Sequence, residues 1–179
     1  DVPNNTTILG AAKITGKIAD NWSFGSVHAL TEREYGRIDN SGARSQRVVE
    51  PLSYYGVARS RGELDGHALG FIGTAAIHNL NQSYLLGSFN KRAFSFGVDG
   101  WTHLDSTKEW VVTGWLAGSR VEGDASRMIQ AQRSAQRYYQ RPDQDYVRVD
   151  NNATSLSGYG MRFALNKQKG NFYANAAFG

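Results

Sequence analysis

The side chains with the most chemical potential in this 179-residue chain are eight titratable residues in stretches where apolar and polar positions alternate. Rings of charged side chains line the solute path of many pores, so this set predicts a polar lining. The same side chains could instead pair with one another and fill the inside of a closed sheet. Both readings stay open for Lys13, Lys17, Glu32, Glu34, Arg59, Asp99, His103 and Arg162.

Two members of this set suggest a different chemistry. Glu32 and Glu34 are expected on one strand face, where they would resemble the carboxylate pair of a glycoside hydrolase. Such enzymes need two carboxyl groups that face a cleft. An envelope hydrolase is therefore an alternative, and it would lose its activity on glycans in Glu32→Gln or Glu34→Gln. In the function that we expect for this chain, no residue is catalytic and no cofactor is bound.

Metal binding is not predicted. Oxygen ligands cluster at Asp143, Asp145, Asp150 and Asn151, but their spacing does not match the twelve-residue calcium loop, which also needs a glycine and a final glutamate. The four histidines include no pair four residues apart, and the absence of cysteine excludes a thiolate site. Phosphate-loop, dinucleotide and nucleophile-elbow motifs are also missing. The acidic cluster predicts a solvated loop.

A basic, aromatic segment could bind RNA through base stacking and phosphate contacts. The net charge of +4 is modest, however, and the chain lacks the dense basic stripe of a nucleic-acid surface. We therefore expect no nucleic-acid partner. In an envelope protein this segment would meet lipopolysaccharide phosphates or the mouth of a barrel. Its residues are Arg127, Arg133, Arg137, Arg141, Tyr138 and Tyr139.

The elements that must position these residues read as β-strands. In the first stretch Ile8, Ile14 and Ile18 share one parity, whereas Lys13 and Lys17 have the other. Seven such stretches and the start of an eighth follow one another. Mean hydropathy is −0.49, and no run approaches the roughly 18 apolar residues of a membrane helix. The pattern predicts an all-β, antiparallel fold.

The connections between these strands alternate short, long, short, long. The short connections are Asp20-Asn21 and residues 62–65, 105–108 and 167–170; the long ones are residues 39–46, 79–91 and 122–145. Membrane β-barrels have short turns on one rim and long loops on the other. We therefore predict an up-and-down transmembrane β-barrel segment of about eight strands over residues 1–179. A short helix over 125–139, stopped by Pro142, is expected in the longest extracellular loop.

The face assignments leave a soluble alternative. Aromatics near strand ends predict interfacial girdles, with Trp22, Trp101, Trp110, Tyr54 and Tyr55 as candidates. A soluble sheet with one solvated face produces the same alternation. A soluble β-sandwich or a lipocalin-like ligand-binding module is therefore the alternative function. In the second stretch we assign Gly25, Val27, Ala29 and Thr31 to the lipid face and Ser26 and His28 to the interior.

Several segments also resemble a known family. They are residues 14–17, 22–25, 29–34, 49–52, 113–119 and 132–143, and the Arg-Tyr-Tyr-Gln-Arg-Pro-Asp run that ends the last one is the most specific. The chain resembles, over nearly its whole length, the β-barrel region of DUF5916 bacterial envelope proteins. In that family this region follows a domain similar to carbohydrate-binding family 9.

The resemblance implies a bacterial outer-membrane location. It also implies that this chain is one piece of a larger barrel, with outer-membrane lipid, lipopolysaccharide and other envelope proteins as partners. The expected function is structural or transport, through solute passage or glycan capture at the cell surface. The family brings no established catalytic residue to any position of this sequence.

Overall fold

The computed structural model describes residues 3–179, so the first two residues of the predicted segment lie outside the described part. One eight-stranded antiparallel sheet dominates, in the order β1-β2-β5-β6-β7-β8-β9-β10, and β3-β4 form a separate hairpin. The all-β antiparallel prediction is confirmed. The strands are β1 Ile8–Ala19, β2 Trp22–Thr31, β3 Glu34–Asn40, β4 Ala43–Glu50, β5 Ser53–Leu64, β6 His67–His78, β7 Arg92–His103, β8 Trp110–Glu122, β9 Ser155–Lys167 and β10 Ala174–Phe178.

The sheet is open in the described chain. Strand β1 pairs only with β2, and β10 pairs only with β9, so both outer strands have a free edge within residues 3–179. A 3-10 turn at Ser83–Leu85 and a single α-helix, α1 (Ala125–Arg133), lie in two of the long connections. No helix in residues 3–179 is long and apolar enough to cross a membrane.

The connections follow the predicted short-long alternation, but several bounds differ: two of the short connections are residues 104–109 and 168–173, and the longest connection is residues 123–154. Asp20-Asn21 and the 79–91 connection lie where expected, but the second short turn is Asp65-Gly66, because residues 62–64 extend β5. The predicted loop over 39–46 is wrong. Those residues belong to the β3-β4 hairpin, which turns tightly at Ser41-Gly42. Strand β2 therefore ends at Thr31, and the chain starts a separate ladder at Glu34.

Helix α1 occupies only the first part of its predicted range. The Asp124 carboxylate caps its N-terminus by accepting from the backbone N–H of Ser126 at 3.0 Å. Hydrogen bonds from the Ser126 hydroxyl and backbone hold the pKa of Asp124 below its usual value. The helix ends at Arg133 because Ser134 is extended (φ −63°, ψ 153°), so the prediction that Pro142 stops it is wrong.

Cross-strand register divides the main sheet into two chemically different faces. Directly paired residues project to the same side, so the pairs can be followed from strand to strand. One side, the apolar face, carries Ile14, Phe94, Phe96, Leu116 and Phe163. The other side, the polar face, carries Lys13, Lys17, Arg59, Arg61, Glu63, Asp99 and Arg162.

The predicted faces of β2 are reversed. Val27 pairs with Lys13 and lies on the polar face, as do Gly25, Ala29 and Thr31, whereas Ser26 and His28 pair with Ile14 and Ala12 on the apolar face. The bulkiest residues of this strand explain the difference. Trp22, Phe24 and Leu30 share the parity of Ser26, so the large apolar side chains of this strand lie on the apolar face together with the two smaller polar ones.

Within residues 3–179 no second sheet and no helix packs against either face of the main sheet. Ile14 is 63% exposed, Phe96 57% and Leu116 50%. Few apolar residues within 3–179 are buried, and some of these, such as Leu85 and Met128, lie in the connections rather than in the main sheet. The buried apolar residues are Val48, Ala68, Leu85, Val111, Val121, Met128 and Ala131. The described sheet therefore lacks the packed core that two stacked layers normally form.

Charge is confined to the ends of the apolar face. In the main sheet its charged residues are Arg92, Arg120 and Glu122 at the long-loop end and Lys167 at the short-turn end. Between these charged ends, residues 94–102 of β7 span about 26 Å at 3.3 Å per residue. Trp22, Trp110 and Tyr54 border this band. The other two girdle candidates, Trp101 and Tyr55, lie on the polar face.

The longest connection is pinned by one buried amide. Gln132 donates to the Asp150 carbonyl at 2.9 Å and accepts from the Asp150 backbone N–H at 2.7 Å. Gln132→Ala leaves both backbone groups unpaired, which costs roughly 1–3 kcal/mol locally. We expect faster tryptic cleavage after Arg137 and Arg141, measured by mass spectrometry, with Gln130→Ala as the exposed control on the same helix. Equal cleavage rates in the two variants would contradict this role.

The β7-β8 turn predicts a pH dependence. The Asp105 carboxylate accepts from the Thr107 hydroxyl and from the backbone N–H groups of Glu109 and Trp110, which lowers its pKa from 3.8 to about 2. A lowered pKa stabilises the fold above the unfolded value, and this contribution is lost as pH falls through the folded value. The stability difference between wild type and Asp105→Asn should be constant down to pH about 4, then shrink towards pH about 2. A difference that stays constant to the lowest pH, measured by thermal unfolding, would contradict it.

Candidate functional site

The polar face carries one continuous line of paired residues across the sheet, which we call the polar row. From β1 to β9 each member is the register partner of the next, so all project from the same side. The row combines three cations, one carboxylate, one indole and two small residues. Its members are Lys17, Ser23, Arg61, Gly70, Asp99, Trp115 and Arg162.

An ion pair crosses the middle of the polar row. Arg59, one row away on β5, forms a two-pronged contact with Asp99 on β7, in which the Nη2–Oδ1 distance is 2.7 Å. The pair reaches over β6 at Gly70, where an added Cβ would lie 2.7 Å from Nη2 and 3.0 Å from Oδ1. A glycine is therefore needed for this close approach. Since both side chains are about one third exposed, we expect the pair to contribute about 1 kcal/mol.

The two arginines of the polar row, one on each side of this ion pair, have fewer hydrogen-bond partners. Arg61 binds Glu63 through Nη2 at 2.8 Å, but its buried Nε has no hydrogen-bond partner in the described residues. The Arg162 guanidinium has no side-chain partner within residues 3–179. Beside it the Trp115 indole lies over Gly160, at van der Waals distance (3.4 Å) from where a Cβ would be. Guanidinium N–H groups without a hydrogen-bond partner therefore lie on both sides of Trp115, the tryptophan of the polar row.

A cavity of 220 Å³ opens between the polar row and the next row towards the short turns. Arg61 and Arg162 line it from β5 and β9, and Trp101 and Trp115 line it from β7 and β8. Thr113 contributes a hydroxyl and Asp99 a carboxylate. Cations, ring surfaces and hydroxyl groups that converge on one concavity are typical of a small-ligand site.

A second cavity of 540 Å³ lies at the long-loop end of the same face. Val27, Tyr55, Val57 and Val121 give it a largely apolar wall. Arg137, which comes from the 123–154 connection, also lines it. The longest connection therefore reaches over the polar face at this end of the sheet.

The structure brings four of the eight predicted residues together. Lys17, Asp99 and Arg162 belong to the polar row, and Arg59 contacts it through Asp99. Lys13 lies two rows away towards the long loops, opposite Val27. His103 lies at the short-turn end of the same face, with its ring 5.1 Å from that of Trp101.

Glu32 and Glu34 do not share a strand face, so that expectation is wrong. Glu32 follows the end of β2 and donates its backbone N–H to the Thr7 carbonyl at 2.7 Å. Glu34 begins β3, and its carboxylate accepts from the Thr7 N–H at 2.7 Å, which lowers the pKa of Glu34. Both residues therefore anchor the segment before β1 to the base of the β3-β4 hairpin. Their backbone and carboxylate contacts are those of a structural clamp.

Four residues of the site were missed by sequence reasoning. Arg61 has the same parity as Arg59, so alternation alone could have found it. Trp101 and Trp115 required the register, which places Trp115 between Asp99 and Arg162. The role of Gly70 depends on a contact between β5 and β7 that no local pattern reveals. Within residues 3–179 no three His, Cys, Asp or Glu side chains are grouped so as to hold a metal ion.

The first third of the chain, from before β1 into β5, has a recognisable sequence. Residues 1–62 match DUF5916, a domain of unknown function. No curated protein and no solved structure matches the chain. The DUF5916 resemblance, expected over nearly the whole chain, is therefore supported for residues 1–62. This stretch includes Lys17, Arg59 and Arg61, whereas the polar row from Gly70 onward lies outside it.

The Arg59–Asp99 pair predicts a glycine requirement at position 70. Gly70→Val places a branched side chain between the two charged groups, so we expect it to separate them. A double-mutant cycle of Arg59→Ala and Asp99→Ala should give a coupling of about 1 kcal/mol in the wild type and none in the Gly70→Val background. Gly73→Val on the same strand is the control, since a Cβ there meets nothing closer than 4.0 Å. A coupling that persists in Gly70→Val would contradict the assignment.

Proposed function

We propose that this chain is a segment of a bacterial outer-membrane β-barrel, with its apolar face against lipid and its polar face lining an aqueous interior through which solutes pass. One observation supports this more than any other. A single-layer antiparallel sheet exposes a largely apolar face, from which formal charge is excluded except at the strand ends. Transmembrane barrels have this distribution, with an apolar band outside and polar residues within.

Lipid is the solvent that suits the apolar face. Ile14, Phe94, Phe96 and Leu116 are all exposed, and they form contiguous rows rather than isolated positions. Apolar patches of this extent are rare on soluble monomers. The strands of 12 or 13 residues exceed the roughly 9–11 residues that a tilted strand needs to cross a bilayer.

The two free edges favour a barrel that contains further strands. Unpaired N–H and C=O groups along β1 and β10 would be costly in hydrocarbon, and closure of the sheet pairs them. Strand β10 pairs only with residues 163–167 of β9, so the rest of the β10-facing edge of β9 is also unpaired in the described chain. We therefore propose that strands beyond these eight complete the barrel wall.

The long connections would face the cell surface, where lipopolysaccharide phosphates are available. Arg127 is occupied, since its Nε donates to Asn90 at 3.0 Å and ties α1 to the 79–91 connection. Arg133 and Arg141 are exposed on the 123–154 connection, and Arg141 stacks towards Tyr138. We propose these two arginines, rather than Arg127, as the lipopolysaccharide contacts.

Cysteine accessibility tests the two-face proposal directly, since the chain has no native cysteine. Ser95 and Phe96 are adjacent in β7 but lie on opposite faces. We expect Ser95→Cys to react with a membrane-impermeant maleimide in the intact outer membrane. Phe96→Cys should react at least about tenfold more slowly, because hydrocarbon suppresses the thiolate that reacts.

The protein expressed from its complete gene is the right sample for this comparison. Both variants should react equally after denaturation in detergent, which confirms that each thiol is intact. If Phe96→Cys reacts as fast as Ser95→Cys in the membrane, or if the protein fractionates as a soluble species, the barrel proposal fails.

A soluble ligand-binding module is the second candidate. The 540 Å³ cavity, with its apolar wall and the loop residue Arg137 beside it, is the observation that favours it. This candidate requires a second layer over the apolar face. It therefore predicts a monodisperse protein without detergent, and protection of Phe96→Cys that persists in aqueous buffer.

A further inference from the structure

We propose that the 220 Å³ cavity on the polar face binds a small organic acid in which a carboxylate is carried on a flat ring. The guanidinium groups of Arg61 and Arg162 would hold the carboxylate, and the indoles of Trp101 and Trp115 would hold the ring. These four side chains come from four different strands and converge on one concavity.

Unsatisfied donors indicate the charge of the ligand. The Nε of Arg61 has no partner, but it is buried and does not face the cavity, so the charge of the ligand follows from Arg162 and from the net positive charge around it. The Arg162 guanidinium also lacks a side-chain partner in the described chain. Guanidinium groups match the geometry of a carboxylate, because two parallel N–H groups can donate to its two oxygens. An anion in the cavity would pair with the Arg162 guanidinium and lie in the positive field of Arg61.

Electrostatics near the cavity does not oppose an anion. Asp99 lines the cavity, but its two carboxylate oxygens already accept from Arg59. Glu63 is engaged by Arg61. The surrounding charged residues are Arg59, Arg61, Arg162, Asp99 and Glu63, which leaves a formal charge of +1 before Lys17 at the end of the row is added.

The indoles indicate the body of the ligand. Trp115 is 44% exposed although it stands in a row of charged and small residues. Gly160 leaves room for its ring, and an edge contact with His103 positions the ring of Trp101. Exposed indoles in a polar surface offer flat apolar area that a ring can cover. A simple inorganic anion would leave the apolar surface of the two indoles uncovered.

The cavity faces the same side as the residues that would line the barrel interior, so a bound acid would sit on the proposed solute path. Binding itself does not require passage. It needs only a water-accessible polar face, and it can be measured on detergent-solubilised protein expressed from its complete gene.

Calorimetric titration with benzoate, benzyl alcohol and acetate separates the contribution of the ligand's carboxylate to binding from that of its ring. Heats of transfer into detergent micelles alone are subtracted. We expect benzoate to bind one site, and the neutral alcohol and the ring-free acetate to bind at least about tenfold more weakly, as the loss of one charged hydrogen bond or one stacking contact predicts.

Variants locate the site. Arg61→Gln, Arg162→Gln and Trp115→Leu should each raise the benzoate Kd by about tenfold. Lys13→Gln is the matched control, because it removes a cation from the same face outside the cavity, and it should change the Kd by less than about threefold. Every variant must keep the far-UV circular dichroism of the wild-type sheet.

Three results would overturn the proposal: no benzoate binding to the folded wild type, equal binding of benzoate and benzyl alcohol, or equal losses in Lys13→Gln and Arg162→Gln. Absent benzoate binding together with slow labelling of Phe96→Cys would remove this site and leave the barrel proposal standing. Rapid labelling of Phe96→Cys together with specific benzoate binding would remove the barrel and leave the site.

Discussion

A single-layer sheet depends on whatever covers its apolar face, and this dependence governs the whole structure. Backbone hydrogen bonds between neighbouring strands hold the sheet together, but they are no substitute for burial of apolar side chains. Few apolar side chains, Val111, Val121 and Met128 among them, are buried within the described chain. Stability must therefore come largely from the environment of the apolar face. Lipid and a second protein layer are the two environments with the required chemistry, and the continuous uncharged band favours lipid.

The antiparallel ladder also creates the functional surface. Because register aligns one residue from each strand, side chains as distant in sequence as Lys17 and Arg162 stand in one line across the sheet. Glycine at position 70 then lets Arg59 and Asp99 meet across a strand they do not belong to. A shift of one residue in any strand pair would move the row members on one side of that pair to the apolar face. The same ladder thus accounts for both the apolar face and the polar row.

The local alternation of apolar and polar residues predicted most strands of the main sheet. The faces of β1 follow from its isoleucine and lysine parities, because one parity of this strand is apolar and the other carries both lysines. Strand β2 was misread where small polar residues share a face with Trp22 and Leu30. The Asp65-Gly66 turn was placed too early, although this dipeptide is a strong hairpin signal. The polar row could not be derived, since Arg59 and Asp99 are 40 residues apart and meet only through the register of three strands.

The four tryptophans offer the most direct measurement of the central claim, that the apolar face contacts lipid. Trp22 and Trp110 lie on the apolar face, whereas Trp101 and Trp115 lie on the polar face. In vesicles that contain bromine-labelled acyl chains, we expect strong fluorescence quenching of the Trp101→Phe/Trp115→Phe variant and little of the Trp22→Phe/Trp110→Phe variant. Acrylamide dissolved in water should give the opposite order. Equal quenching of both variants by the brominated lipid, or none of either, would contradict the account.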